Sequence, residues 1–254
     1  MHLVDRLAHG NRWADRHPAE KLALGGGLLI AAVALPAIPA AVLVLAAAAL
    51  AAVAGARVPP ADYLRVLAIP AGFELSGAVV LAVSVRLDGA GPAIALSPQG
   101  IETAIAVSLR ALAATAASLL IVLTTPLTDL LGLLRRCRLP AAIVDVGLLV
   151  YRFTATTLEM AERARVAQAS RLGYTGPRRS LQSIGLLAAA LLPRCLGRAA
   201  RMERGLAARA YDGDLRTLQP SRPASGRFLA AAVAVPGLIA ATAAVWPVIA
   251  GAGR

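Results

Sequence analysis

Apolar and polar positions alternate in long blocks along the chain. The first 21 residues carry Asp5, Arg6, Arg12, Asp15, Arg16, Glu20 and Lys21. An uncharged stretch then runs from Leu22 to Ala56. A signal-peptide core holds about 7–15 apolar residues, so this run is too long for one. It predicts two short membrane helices with a break at Pro36 and Pro39, since a span needs about 20 residues. A third span is expected from Tyr63 to Val85, ending at Arg86-Leu87-Asp88-Gly89. A fourth runs from Gln99 to Leu123, where Ser97-Pro98 supplies an N-cap and a proline at the first helical position. A fifth runs from Phe228 to Ile249.

Between the last two spans, residues 124–227 read as helices of a different kind. Thr125-Pro126 opens a short amphipathic helix from Leu127 to Arg136, which Pro140 closes off. A long helix follows from Ala141 to Leu172, apolar at first and then charged through Glu159, Glu162, Arg163, Arg165 and Arg171. Glu159 and Arg163 are spaced to pair along one face. Gly173 suits the residue just beyond the helix end. A second long helix runs from Leu181 to Tyr211. It is apolar at first, then basic through Arg194, Arg198, Arg201, Arg204 and Arg209, with Pro193 inside it and Gly213 beyond it. The fold class expected is all-α: a polytopic membrane protein of about five transmembrane helices plus long cytoplasmic coupling helices. The expected divisions are an N-terminal arm with four spans (1–123), a cytoplasmic helical block (124–227) and a terminal span (228–254).

Composition supports a membrane location. Of 254 residues, 58% are hydrophobic and 16% charged, against about 45–50% and 25% for soluble domains. Mean hydropathy is +0.68. Net charge is +12. In a soluble protein that excess would suggest nucleic acid, which is not expected as a partner here; in a membrane protein it marks cytoplasmic flanks. The 124–227 block holds 17 arginines and seven acids, whereas the 86–98 loop has only Arg86 beside Asp88. The arginines therefore predict a cell (inner) membrane protein with its N-terminus and residues 124–227 in the cytoplasm.

Candidate chemistry is sparse. Glu74 and Arg110 fall near the middle of adjacent antiparallel spans, where a charge costs about 2.5–3.5 kcal/mol on insertion scales. They read as a structural intramembrane pair, with an ion path as the other reading. His2, His9 and His17 lack an acidic or cysteine partner at ligand spacing, so no metal site is expected. Cys137 and Cys195 sit in arginine-rich segments, which argues against a disulfide framework or a zinc site. A phosphate loop needs a lysine within GxxxxGK[ST], and the chain's one lysine, Lys21, follows Glu20. No cofactor and no catalytic residue are expected. Gly25-Gly26-Gly27 and the many alanines suit close helix packing.

The ends of the two long helices carry a resemblance. Gln168-Ala169-Ser170-Arg171-Leu172-Gly173-Tyr174 and Gly205-Leu206-Ala207-Ala208-Arg209-Ala210-Tyr211-Asp212-Gly213 resemble the paired arginine signatures, of Ala-Arg-Gly type, in the transmembrane (T) components of energy-coupling-factor (ECF) transporters. The CbiQ family of cobalt systems is most similar. His17-Pro18-Ala19-Glu20-Lys21-Leu22, Thr124-Thr125-Pro126, Leu133-Leu134, Arg138-Leu139-Pro140, and Tyr151-Arg152-Phe153 with Glu159 follow the family's order. Two departures stand out: Leu172 separates arginine from glycine in the first signature, and Ala210 replaces the usual glycine in the second.

The resemblance implies a non-catalytic subunit of an ATP-driven cobalt importer serving cobalamin synthesis. It would sit in the lipid bilayer beside a membrane substrate-binding (S) subunit. Two cytoplasmic ABC-type ATPase subunits would hydrolyse ATP and receive the tips, with Arg171, Arg209, Gly173 and Gly213 as docking residues. Arginine fits such a role through its planar fork of donors. The plainer reading is a cation placed against the helix dipole, and the ordered set of motifs favours docking. Arg178, Arg179, Arg198 and Arg201 read as lipid-headgroup or solvated-face charges. A T component for another metal or a vitamin (nickel, biotin, or a shared module) is the nearest alternative. An intramembrane enzyme using Glu74, Glu102 or Asp129 lacks convergent polar groups. A self-contained carrier would favour internal repeats, and none is found.

Overall fold

The computed structural model describes residues 2–35, 38–88, 91–137, 139–211 and 222–251. The helices are α1 (His2–Gly10), α2 (Pro18–Ala34), α3 (Ile38–Leu50), α4 (Pro60–Ala82), α5 (Pro98–Thr124), α6 (Leu127–Arg136), α7 (Ala141–Ser170), α8 (Pro177–Ala207) and α9 (Gly226–Gly251). A π-helical turn, Ala51–Gly55, extends α3. The chain is an all-α polytopic membrane protein, with one small β-hairpin added.

Local chemistry sets the helix starts. His17 accepts a hydrogen bond from the Ala19 N–H at its Nδ1, and Pro18 opens α2. Ser97 caps α5 by accepting from the Gly100 N–H, with Pro98 next. These side-chain acceptors serve N–H groups that have no partner within the helix. Pro39 falls in the first turn of α3, where its missing N–H costs nothing; the other residue of the expected break, Pro36, lies outside the described residues.

One segment differs from expectation. The third span stops at Ala82, not Val85, and residues Val83–Asp88 form strand β1. Strand β2, Gly91–Leu96, pairs with it antiparallel, from Val83 opposite Leu96 to Asp88 opposite Gly91. Val83, Val85 and Leu87 alternate with Ser84, Arg86 and Asp88, which is the two-residue period of a strand.

Among the described residues, six helical stretches are long and apolar enough to cross a bilayer: Ile38–Gly55, Pro60–Ala82, Pro98–Thr124, Ala141–Ser170, Pro177–Ala207 and Gly226–Val245. α2 has 17 residues, the lower limit for a span. α7 and α8 meet the length and composition requirement although their second halves are charged.

The chain divides into two compact units, Met1–Leu130 with Pro220–Arg254, and Leu131–Gln219. The first contains the buried core, where α2, α3, α5 and α9 meet through small side chains such as Ala32, Ala40, Ala48, Ala113, Ala116, Ala117 and Ala232. Small residues let helix backbones approach closely in lipid. Gly25 shows how closely: a Cβ there would stand 2.3 Å from the Ile121 side chain. In the second unit α7 packs against α8.

Candidate functional site

The two helix ends singled out by their arginines share one backbone geometry. At the end of α7 the Gly173 N–H donates to the Gln168 carbonyl at 2.9 Å, and the Leu172 N–H to the Ala169 carbonyl at 3.0 Å. At the end of α8 the Tyr211 N–H donates to the Leu206 carbonyl and the Ala210 N–H to the Ala207 carbonyl, each at 3.1 Å. This crossed pair of bonds is the Schellman closure, which takes up the last free carbonyls of a helix and needs one left-handed residue. That residue is Leu172 (φ 58°) in the first tip and Ala210 (φ 54°) in the second. Both stand where glycine is the low-strain choice. In each tip the residue immediately before the left-handed one is the arginine, Arg171 or Arg209.

Both arginine side chains are exposed. A left-handed residue just beyond each one turns the chain away from the helix axis. Among the described residues neither pairs with a carboxylate, so both keep their five donors for another molecule.

The first tip is locked further by side chains. Gln168 donates from Nε2 to the Ser183 carbonyl at 3.0 Å and accepts from the Tyr174 hydroxyl at 2.8 Å. Ser183 returns a bond from its hydroxyl to the Gly173 carbonyl at 2.8 Å. A Cβ on Gly173 would fall 2.8 Å from the Ser183 Oγ and 2.9 Å from the Gln168 carbonyl oxygen, so only glycine fits. Ser183 was not a candidate from the sequence, because its role depends on α8 folding back beside α7. Gly213, the fourth expected docking residue, lies outside the described residues.

The intramembrane charges are not brought together. Glu74 accepts a bond from the Thr115 hydroxyl at 3.0 Å, and Arg110 donates from Nη2 to the Leu35 carbonyl at 3.4 Å. α4 and α5 do pack side by side, but their register sets Thr115 opposite Glu74. Arg110 is five residues earlier on α5, about 7.5 Å along the axis, and it reaches the carbonyl end of α2 instead. Each charge thus meets a polar partner inside the apolar layer, as intramembrane charges must.

Sequence reasoning also missed a polar cluster at the foot of the first unit. Lys21 is 1% exposed and donates from Nζ to the carbonyls of Trp13 (3.1 Å) and Thr124 (2.9 Å). Asn11 donates from Nδ2 to the Leu123 carbonyl at 3.2 Å. Glu20 accepts the Ser225 N–H and lies 3.8 Å from Arg16, whose guanidinium stacks 4.5 Å over Phe228. Asp129 pairs with Arg222. Lys21 lies at the foot of α2, before the apolar run begins. Burial above all, opposed by Asp129, Asp15 and Glu20 and aided by Arg222, holds its ammonium at about 8, below the ordinary 10.5.

Among the described residues no three His, Cys, Asp or Glu side chains gather closely enough to hold a metal ion. His9 instead bonds through Nδ1 to the Asp5 carbonyl at 2.8 Å, and His17 caps α2.

Comparison with known proteins identifies the family. The CbiQ family model, described as "Cobalt transport protein", matches residues 10–220. A Rhodobacter capsulatus protein named "Cobalt transport protein CbiQ" is 43% identical over 222 residues, covering 87% of this chain and 89% of that one. A Salmonella typhimurium protein of the same name is 31% identical over 220 residues, covering 83% of this chain and 97% of that one. A "Putative fused cobalt transport protein CbiMQ" of Methanocorpusculum labreanum is 29% identical over 169 residues, covering 62% of this chain and 28% of that protein. With the family model spanning residues 10–220 and a relative 43% identical over 87% of the chain, the chain belongs to the CbiQ cobalt transport protein family.

Proposed function

We propose that this chain is the T component of an ATP-driven ECF-type importer whose substrate is cobalt (Co2+). In this reading it is a non-catalytic subunit. Two cytoplasmic ABC-type ATPases bind and hydrolyse ATP, and the chain passes their motion to a membrane S subunit that holds the ion. The N-terminus and α6 to α8 lie on the cytoplasmic side, following the arginine distribution. α7 and α8 then run along the membrane surface and not across it. Their charged second halves favour that placement, because burying Glu159, Glu162, Arg163 and Arg165 in lipid would cost several kcal/mol.

The observation that carries the proposal is the repeated tip. Two helix ends present an exposed arginine at the same point of the same backbone motif, and each accepts an unfavourable residue in the left-handed position to do so. A dipole-neutralising cation needs no such construction. Family membership supports cobalt as substrate, and the fused relative supports a membrane partner.

The test is retention of an ATPase pair by the detergent-solubilised, tagged chain. Wild type should hold the ATPases, Arg171→Glu and Arg209→Glu should each weaken the complex, and the double variant should release them. Equal retention by all four proteins would rule out the tips as the dock.

A further inference from the structure

Matched bond for bond, the two closures pair Gln168 with Leu206, Arg171 with Arg209, Leu172 with Ala210 and Gly173 with Tyr211. In the first, the Gln168 carbonyl accepts the Arg171 N–H at 3.2 Å and the Gly173 N–H at 2.9 Å. In the second, the Leu206 carbonyl accepts the Arg209 N–H at 3.0 Å and the Tyr211 N–H at 3.1 Å. The backbones agree, but the surroundings do not. The first closure lies in the short turn 171–176 between α7 and α8, so the first two turns of α8 return beside it. The second lies at the far end of α8.

That difference falls on one position. Gln168 holds the first closure with its side chain as well as its carbonyl. Its Nε2 donates to the Ser183 carbonyl on α8, and its Oε1 accepts the Tyr174 hydroxyl. Ser183 bonds back to the Gly173 carbonyl. The chain just before and just after Arg171 is therefore tied to α8. Leu206, at the matching position of the second closure, has no polar side-chain atom. Among the described residues no side-chain hydrogen bond reaches residues 206–211. Leu206 and Tyr211 instead border an open groove of about 430 Å³ with Leu149, Phe153 and Met202, and Tyr211 is 38% exposed. A closure held by solvent-exposed backbone bonds alone opens at low free energy.

We propose that Gln168 is a positioning residue for Arg171, so that the first dock is pre-formed and the second orders only when it is bound. The proposal rests on the docking role given above. A pre-formed dock spends no binding energy on ordering itself. A dock closed only part of the time loses apparent affinity in proportion to its closed fraction.

Gln168→Leu gives the first closure the side chain of the second and tests this in the detergent-solubilised full-length chain. Amide-resolved hydrogen exchange, corrected for intrinsic rates, should show the wild-type Gly173 N–H about ten-fold slower than the Tyr211 N–H. Gln168→Leu should bring the two rates together. Binding of the ATPase pair is then measured with one arginine removed at a time. With Arg209→Glu, which leaves the first dock, Gln168→Leu should raise the apparent Kd about ten-fold. With Arg171→Glu, which leaves the second, it should change nothing, because Gln168 acts through Arg171. A residue that only stabilises the α7–α8 hairpin would weaken both. Tyr174→Phe, which spares the Gln168–Ser183 bond, should give a smaller loss with the same dependence on Arg171, and carries the test if Gln168→Leu does not fold. Equal exchange of Gly173 and Tyr211 in wild type, or an equal loss of binding in both arginine backgrounds, would overturn the proposal. Exchange is read without ATPases, so the two readings fail separately. Slow exchange at Gly173 with both arginines dispensable for binding would sink the docking role and Gln168's part in it. Equal exchange with both arginines needed would sink this proposal alone.

Discussion

Lys21 donates from Nζ to the Thr124 carbonyl at 2.9 Å, joining the start of α2 to the last residue of α5. Thr124 is itself buried and directs its hydroxyl back to the Leu120 carbonyl. The chain's only lysine therefore ties together two helices of the membrane core at the point where α5 gives way to α6. Its ammonium is held near 8, below the ordinary 10.5, so between those values the unfolded chain binds more protons than the folded one. Stability should then rise with pH across that window and lie at its lower level below pH 8. Thermal denaturation in detergent at pH 7.5 and 9.5 should show a higher midpoint at 9.5. Lys21→Met should remove that rise and lower the midpoint at both values, because two buried carbonyls lose their donor.

The tips predict opposite effects for glycine. Leu172→Gly and Ala210→Gly should each stabilise by about 1 kcal/mol, since a left-handed conformation costs an L-residue roughly that much. Hydrogen exchange at Gly173 and Tyr211, whose N–H groups close the two motifs, should slow accordingly.

Gly173→Ala should do the reverse. The new methyl meets a backbone oxygen that cannot give way, and a loss of about 1–3 kcal/mol is expected. The variant should also hold ATPases less tightly although Arg171 is untouched. Retention at the wild-type level would mean that the closure geometry has no part in docking.

Glu74 and Arg110 have separate partners, so their energies should add. Glu74→Gln and Arg110→Met, alone and together, should shift stability by amounts that sum within about 0.5 kcal/mol. Thr115→Val, by contrast, should couple to Glu74→Gln, because those two side chains share a hydrogen bond. Strong coupling between Glu74 and Arg110 would mean that the charges do meet in the membrane.

Most helices were legible because each carried its own punctuation. Ser97-Pro98, Thr125-Pro126 and Pro140 act within a turn of where they stand, and α6 runs over the expected residues, Leu127 to Arg136. The β-hairpin was also written locally, in the alternation of Val83 to Asp88. It went unread because an apolar run beside a span resembles the end of that span until its period is checked. Other features had no local signal. Thr115 faces Glu74 through the register of two helices, and Lys21 meets Thr124 across more than a hundred residues. Ser183 enters the first tip only because α8 returns beside α7. Sequence distance hides such partners even when every participant is an ordinary residue.

The repeated closure at the two helix ends has a consequence for assembly. Arg171 with Leu172 and Arg209 with Ala210 are two copies of one shape, made from different sequences within a single chain. If both tips dock as proposed, a receptor that reads only this backbone closure and its arginine would take either end, and two identical receptors would each be satisfied without having to tell the ends apart.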